Sequence, residues 1–214
     1  GDGAQAGAMT QPRPRYLRRL EQAYPRMRIG LFGGSFNPAH EGHAHVAEIA
    51  LNRLGLDRVW WLVTPQNPLK NAKETAPLAE RIAGAKRFAR HPRMIVTDME
   101  TRWGVQFSVH LIEELRRRFA GVDFVWVMGS DNLTNFHKWR RWRRVMESMP
   151  IVFVARPNAL AKARLSPAAQ TYRNGMRRPH ALERAKAPAW AFINAPLVPI
   201  SSTKLRRLGA RGRA

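Results

Sequence analysis

Cysteine is absent from the 214-residue sequence, so neither a disulfide framework nor a cysteine-based zinc site can form. Long apolar runs are also missing, since stretches such as Val59–Val63 and Ile151–Ala155 fall far short of the ~20 residues that cross a bilayer. The N-terminal region lacks the apolar segment of a secretory signal. We therefore expect a cytoplasmic protein with no membrane partner.

Acidic residues are scarce, because 15 Asp and Glu stand against 37 Lys and Arg and leave a formal net charge of +22. Such a charge predicts affinity for anions and makes a nucleic-acid-binding protein the first alternative to an enzyme. A further interpretation is a basic surface that affects solubility alone. The hydrophobic and charged contents, 44% and 24%, are ordinary and argue against global disorder.

Two common phosphate-binding loops are missing as well. The glycines after the first apolar segment fall at positions 30, 33, 34 and 42, which does not match G-x-G-x-x-G. No Gly-Lys-Ser/Thr occurs anywhere in the sequence. These absences argue against a hydride-transfer enzyme and against a P-loop ATPase.

The sequence does contain a regular alternation of short apolar segments and helical patterns. Strands are predicted at 27–32, 58–64, 94–98, 123–128, 151–155 and 189–193, and helices at 41–54, 78–90, 107–119 and 201–208. Residues 129–149 also carry apolar side chains at helical spacing. Strands separated by helices of about 10 to 15 residues indicate an α/β fold, with a doubly wound parallel sheet of five to six strands and helices on both faces. Ligands bind such sheets beyond the carboxyl ends of the strands.

One domain accounts for a chain of this length. We assign residues 27–214 to a single domain and interpret residues 1–26, rich in Gly, Ala, Gln, Pro and Arg, as a flexible extension or tag. Residues 158–188 are basic and poor in β-branched side chains, which is typical of a partly mobile insertion.

The segment after the first strand combines glycines and histidines at the start of a helix. Gly33 and Gly34 let the backbone turn and approach a ligand, while the free N–H groups of the helix start favour an anion. His40 and His43 flank Gly42, so both imidazoles can face one phosphate cluster. A metal site is the weaker alternative, because cysteine and a helical His-Glu-x-x-His are both absent.

Two stretches resemble the signatures of the nucleotidyltransferase superfamily. Phe36–His43 is similar to its (Phe/Asn/Asp)-Pro-x-(His/Thr)-x-Gly-His element, and Ile200–Arg206 to its Ile-Ser-Ser-Thr-x-(Ile/Leu)-Arg element. Together with Gly129–Leu133 and Lys138-Trp139, they closely resemble bacterial nicotinate-nucleotide adenylyltransferases over residues 27–208. The resemblance implies a Rossmann-like enzyme that transfers AMP from ATP to nicotinic acid mononucleotide in NAD biosynthesis and releases pyrophosphate. It also implies Mg²⁺ bound with ATP.

The resemblance further implies roles for individual residues. Catalysis would depend on His40, His43 and Arg206. The residues that would bind ATP are Gly33, Gly34, Ser35, Phe36, His40, Gly42, His43, Gly129, Asp131, Ser201, Ser202, Thr203 and Arg206. Those that would bind the mononucleotide are Ser35, Asn37, Lys70 and Trp139, with the indole stacked on the pyridine ring. No protein metal site is expected, since Mg²⁺ would bridge phosphates.

Some residues have simpler alternatives, and some depart from the family pattern. Trp139 alone is more often a core residue, and Asp131 alone is often a helix cap. Leu69 stands where the family often has His, and the segment around His110 lacks the family's Ser-Tyr-Thr-x-Asp-Thr, which puts the usual contacts of both loops in question. The enzyme-class alternative is a relative that uses nicotinamide mononucleotide, pantetheine phosphate or another small phosphate.

Overall fold

The computed structural model describes residues 21–65, 73–155, 159–182 and 185–195. Its strands are β1 (Arg28–Gly34), β2 (Arg58–Val63), β3 (Met94–Thr97), β4 (Asp123–Gly129), β5 (Ile151–Ala155) and β6 (Trp190–Asn194). Its helices are α1 (Glu41–Arg53), α2 (Leu78–Phe88), α3 (Met99–Trp103), α4 (Ser108–Arg118), α5 (Ser130–Asn135), α6 (Trp142–Ser148), α7 (Leu160–Arg164), α8 (Pro167–Thr171) and α9 (Pro179–Leu182). Short 3₁₀ turns cover Phe136–Lys138 and Arg173–Gly175.

The six strands form one parallel sheet in the order β3-β2-β1-β4-β5-β6. The chain runs outward from β1 to β3 and then crosses back to β4, so its winding direction reverses between β1 and β4. At the centre, Leu31 pairs with Trp60 on one side and Trp126 on the other. A crevice forms beyond the carboxyl ends of the strands at such a reversal. The predicted doubly wound parallel sheet is confirmed.

Helices cover both faces of the sheet, and alternate strand residues enter two separate cores. Trp60 belongs to the core that packs under α4 and α6, whereas its neighbour Trp61 belongs to the core under α1 and α2. Both indoles are fully buried. Burial of the strands on both faces explains why they appear in the sequence as continuous apolar runs.

The chain between β4 and β5 contains the apolar side chains noted at helical spacing within residues 129–149. It forms α5, a 3₁₀ turn and α6 as separate pieces. In the interruption, the Trp142 N–H donates to the Trp139 carbonyl and Arg141 adopts φ 53°. This left-handed conformation cannot continue a right-handed helix, so the segment turns before α6 begins.

Residues 21–26 contact the domain at individual points, although four of the six are exposed, and the domain boundary at residue 27 stays a prediction. The Glu21 carboxylate accepts hydrogen bonds from Thr97 and Arg102 at the end of β3. This polar anchor is a tertiary contact that composition could not indicate. The interpretation of residues 1–20 lies outside the described residues.

The basic insertion forms short helices in the parts of it that the structure describes. These are α7, α8 and α9, and their buried side chains are small or aliphatic: Ala163, Ala168, Ala169 and Leu182. The insertion therefore contributes to both cores, although its sequence is typical of a partly mobile segment. Across the described ranges, no helix combines the length and apolarity that crossing a membrane requires.

Candidate active site

The loop after β1 turns around a buried aromatic residue. Phe36 has φ 48°, is 2% exposed and stacks its ring on Trp61 at 5.2 Å. A Cβ on Gly34 would lie 3.4 Å from the Phe36 ring, whereas a Cβ on Gly33 would meet nothing within 4 Å. The Phe36 ring is thus part of the packed core, while Gly33 leaves open space at the strand end.

His40 and His43 form a reciprocal cap at the start of α1. The Gly42 N–H donates to Nδ1 of His40 (3.0 Å), and the His40 N–H donates to Nδ1 of His43 (3.1 Å). A neutral imidazole that accepts at Nδ1 carries its proton on Nε2. Both rings are therefore held as Nε2–H donors, and they stack with centroids 3.8 Å apart.

The surroundings of His43 keep it neutral. Burial, and secondly the neighbouring His40, lower the pKa of His43 to about 3. The edge of the Phe36 ring lies against it, with centroids 5.0 Å apart. A fixed neutral donor at a helix N-terminus suits an anionic oxygen, because it needs no reorganisation when negative charge develops there.

Beside this loop, the end of β4 leads directly into α5. The register pairs Phe32 with Val127, so the ends of β1 and β4 reach the same edge of the sheet. Gly129 is the N-cap of α5, and because it has no side chain the helix start lacks a side-chain hydrogen bond at this position. A Cβ placed on Gly129 would meet nothing within 4 Å. Asp131 follows in the first turn and is exposed. Its carboxylate is thus available at the reversal point of the sheet.

Trp139 lies past the 3₁₀ turn that follows α5. It is half-buried, and its ring packs against Phe136 with centroids 4.9 Å apart. The nearby Trp142 is also half-buried and packs edge-on against Tyr172, with ring centroids 5.7 Å apart. Trp139 is therefore supported from behind by the core while part of its surface stays accessible, as stacking on a ligand ring requires.

Arg140 and Phe107 join two of the segments that connect strands, since Phe107 lies between β3 and β4 and Arg140 between β4 and β5. The Arg140 guanidinium lies 4.6 Å from the centre of the Phe107 ring. Phe107 is the N-cap of α4, and the contact is of the cation–π type. This places a positive charge one residue from Trp139.

Arg81 lies beside the loop after β1, although no sequence motif assigns it to the site. It lies in the first turn of α2, is 2% exposed and donates to the carbonyls of Ser35 (3.0 Å), Thr64 (2.8 Å) and Ala76 (2.9 Å). Burial lowers the pKa of Arg81. The available signal was a charged residue on the apolar face of a helix, three residues after Leu78 and four before Ala85.

Asn37, predicted to bind the mononucleotide, uses its amide within the protein. Its Nδ2 donates to the Glu74 carbonyl (3.0 Å), and its Oδ1 accepts from the Ala76 N–H (3.1 Å). Ser35, in the same loop, is exposed. The loop after β1 is therefore fastened to the segment that precedes α2.

Several predicted site residues lie outside the described residues: Lys70, Ser201, Ser202, Thr203 and Arg206. Within the described ranges, no group of three or more His, Asp or Glu side chains is arranged to hold a metal ion. The donors assembled at the start of α1 are instead N–H groups, which suit phosphate oxygens.

The comparisons with known proteins agree with this geometry. A family model described as cytidylyltransferase-like matches residues 31–208. A "Probable nicotinate-nucleotide adenylyltransferase" from Caulobacter sp. (strain K31) is 53% identical over 189 residues, which cover 87% of this chain and 100% of that protein. A protein of the same name from Cereibacter sphaeroides (strain ATCC 17029 / ATH 2.4.9) is 51% identical over 193 residues, covering 88% and 100%.

Solved structures share the fold. Plasmodium falciparum nicotinic acid mononucleotide adenylyltransferase complexed with NaAD matches with a TM-score of 0.65 at 16% identity, covering 85% of this chain and 83% of that chain. The same protein complexed with APC gives a TM-score of 0.64 at 15% identity with the same coverage. At this low identity the likeness concerns the arrangement of strands and helices.

Proposed function

Since this chain belongs to the nicotinate-nucleotide adenylyltransferase family, we propose that it transfers AMP from ATP to nicotinic acid mononucleotide in the biosynthesis of NAD. A 5′-phosphate oxygen of the mononucleotide attacks the α-phosphorus of ATP, and the bond between that phosphorus and the oxygen bridging to the β-phosphorus breaks. Nicotinic acid adenine dinucleotide and pyrophosphate are the products.

The reciprocal histidine cap is the observation that carries this proposal. It fixes two Nε2–H donors at the N-terminus of a 13-residue helix, beside the strand end where Gly33 leaves open space. Nucleotidyl transfer needs positioned donors rather than a covalent nucleophile, because negative charge increases on the transferring and leaving phosphates. His40 and His43 would stabilise that charge, with Arg206 as the third catalytic residue.

The remaining ATP contacts follow the two loops that meet at the reversal point. The backbone at Gly33, Gly34, Ser35, Phe36 and Gly42 would approach the phosphates. Gly129 would also contact ATP, and Asp131 would bind the adenosine ribose or help arrange the Mg²⁺-nucleotide. Ser201, Ser202 and Thr203 would hold the β- and γ-phosphates together with Arg206. Open space at Gly33 and Gly129 and the exposure of Asp131 support this arrangement.

For the mononucleotide, Trp139 would stack on the pyridine ring, and Lys70 and Ser35 would bind near its phosphate. The half-buried indole, supported by Phe136, favours stacking over a purely structural role. Asn37 would act through the loop that it fastens, since both ends of its amide already bond to the backbone at 74 and 76.

A divalent metal ion generally accompanies ATP in such transfers, and here we propose Mg²⁺. The site's N–H donors fit phosphate oxygens and not a cation, so phosphate oxygens and water would supply its ligands. The ion would offset the negative charge of the phosphates. The cytoplasmic location expected from the sequence stays a prediction.

The test is pyrophosphate release from ATP, measured with nicotinic acid mononucleotide and with nicotinamide mononucleotide in parallel. Strong preference for the acid supports the proposal, and equal use would reduce it to a pyridine-nucleotide transferase without acid selectivity. Turnover with neither, combined with salt-sensitive binding to DNA, would favour the nucleic-acid alternative that the +22 charge suggested.

A further inference from the structure

Arg81 is the most deeply buried charged side chain in the described part of the chain, at 2% exposure. It lies on α2, outside the sequence motifs that characterise the site. Its position is nevertheless close to them in space, because Nη1 donates to the carbonyl of Ser35 in the loop after β1. Burying a guanidinium is costly unless its N–H groups are bonded, so its retention here requires a reason.

The three carbonyls that Arg81 contacts come from three different segments. Nη1 also bonds to Thr64, just past the end of β2, and Nε bonds to Ala76, just before α2. The planar fork of an arginine can serve several acceptors at fixed angles, which the single ammonium of lysine cannot reproduce. One side chain thereby joins the loop after β1 to both ends of the loop after β2.

Asn37 completes this brace from the opposite side. Its amide bonds to the Glu74 carbonyl and the Ala76 N–H. Three side-chain hydrogen bonds therefore link the loop that carries Ser35 and Asn37 to the chain that leads into α2. A direct backbone bond from the Thr64 N–H to the Gly34 carbonyl (2.9 Å) adds to them. The Arg81 bonds to Thr64 and Ala76 fix the position of the arginine itself.

We propose that Arg81 is a positioning residue for the transfer reaction, because it ties the loop after β1, at Ser35, to the two described ends of the chain between β2 and α2, at Thr64 and Ala76. The inference rests on the proposed function. The loop after β1 leads to the histidine donors at the start of α1. If that loop shifts relative to the chain at Thr64 and Ala76, the attacking phosphate and the α-phosphorus lose alignment, and a misplacement of about 1 Å can cost about 100-fold in rate.

The experiment compares Arg81→Met and Arg81→Lys with the wild-type chain. For Arg81→Met we expect kcat/KM for nicotinic acid mononucleotide to fall about 10- to 100-fold, with a smaller rise in KM for ATP. Arg81→Lys should recover only part of this loss. In Arg81→Ala, added guanidinium ion should restore part of the activity, which a general loss of stability would not allow.

Arg102→Met is the matched control. Arg102 is less buried than Arg81 but likewise has several partners, Asp98, Glu21 and Thr97, and this cluster lies beside the end of the outer strand β3. Its loss should lower Tm while leaving both KM values within about 2-fold. A folded Arg81→Met protein with wild-type kinetics would overturn the inference, as would equal kinetic losses in Arg102→Met.

Two further outcomes are distinguishable. If Arg81→Met does not fold, Asn37→Ala removes two bonds of the same brace and should show the same selective loss for the mononucleotide. If the wild-type protein transfers AMP to no pyridine mononucleotide, the proposed function fails, and amide exchange then tests the brace. Faster exchange at residues 34–37 and 73–77 in Arg81→Met would support it, and unchanged exchange would refute it.

Discussion

The loop after β1 and the segment after β4 meet at the same reversal point of the sheet, but they are held in different ways. In the loop after β1, side chains make the bonds, because His40 and His43 cap α1 and Asn37 bonds to the chain before α2. In the segment after β4, Gly129 begins α5 without a side-chain cap and Trp139 rests on hydrophobic packing.

This difference matches what each side is proposed to do. Donors that stabilise developing charge must be fixed before the reaction. Each side-chain hydrogen bond in the loop after β1 stabilises that fixed arrangement by about 1 kcal/mol. A stacking surface tolerates small movements, because an aromatic contact varies gradually with position. We infer that the β1 side is preorganised for chemistry and that the β4 side can adjust to the substrate.

His43→Asn gives the largest expected effect on this comparison. Asparagine can still accept the His40 N–H through its side-chain oxygen, but it lacks the Nε2–H donor. We expect kcat to fall about 100- to 1000-fold while Tm changes by only a few degrees. Steady-state pyrophosphate release and thermal unfolding measure the two quantities.

His43→Ala and His43→Gln are the controls for that variant. Alanine removes the cap and the contact with Phe36, so it should lower Tm more than asparagine does. Glutamine keeps a donor near the Nε2 position but loses the Nδ1 acceptor. Near-normal turnover in His43→Asn would show that the histidine pair serves the helix start alone.

Gly33→Ala tests whether the space at the end of β1 belongs to a ligand. An added Cβ meets nothing within 4 Å in the protein, so the variant should fold with an unchanged Tm. We expect KM for ATP to rise about 10-fold, since the methyl group would occupy space needed by the nucleotide. Gly30→Ala is the contrasting variant, because its Cβ would lie 2.8 Å from Leu56 and should lower Tm instead. Unchanged kinetics in Gly33→Ala would remove this position from the site.

Trp139→Ala should have a smaller effect, confined to the mononucleotide. Loss of ring stacking is expected to raise its KM about 5- to 10-fold, equivalent to about 1–1.4 kcal/mol, with kcat little changed. Trp139→Phe should recover most of the affinity. A selective loss of ATP affinity would contradict the stacking role and would weaken the assignment of the β4 side to the substrate.

Much of the fold could be predicted from the sequence because its signals are local. Continuous apolar strands, glycine turns and the 3.6-residue pattern of α1 depend on neighbouring residues, and they correctly predicted a parallel sheet. The break between α5 and α6 could not be predicted this way. It depends on Arg141 in a left-handed conformation, which the apolar spacing of Trp139, Trp142 and Val145 conceals.

In the candidate site, too, some features follow from the local sequence and others depend on contacts between distant residues. The positions of His40 and His43 at a helix start follow from sequence spacing, but their reciprocal bonds and fixed tautomers depend on the observed backbone at His40. Arg81 could not be assigned because its partners lie 5, 17 and 46 residues away along the chain. The spacing of Arg81 from Leu78 and Ala85 could indicate its burial, but not the backbone groups to which it donates.

Glu100→Gln should have the smallest effect of these variants, a change in Tm that depends on pH. Glu100 lies in α3, directly after β3, away from both strand ends compared above. Burial raises the pKa of Glu100 to about 7, above the value of 4.5 for an exposed carboxyl. The folded protein then binds this proton more tightly than the unfolded chain, so stability should decrease as pH rises from about 4.5 to about 7. His43 acts in the opposite direction, since its pKa of about 3 makes stability increase with pH up to about 6.5.

Glu100→Gln removes the contribution of the Glu100 carboxyl and leaves that of His43. Its Tm should therefore exceed the wild-type value by about 2–4 °C at pH 8 and show no such gain at pH 4.5. An equal change in Tm at both pH values would mean that the Glu100 carboxyl does not titrate with a raised pKa.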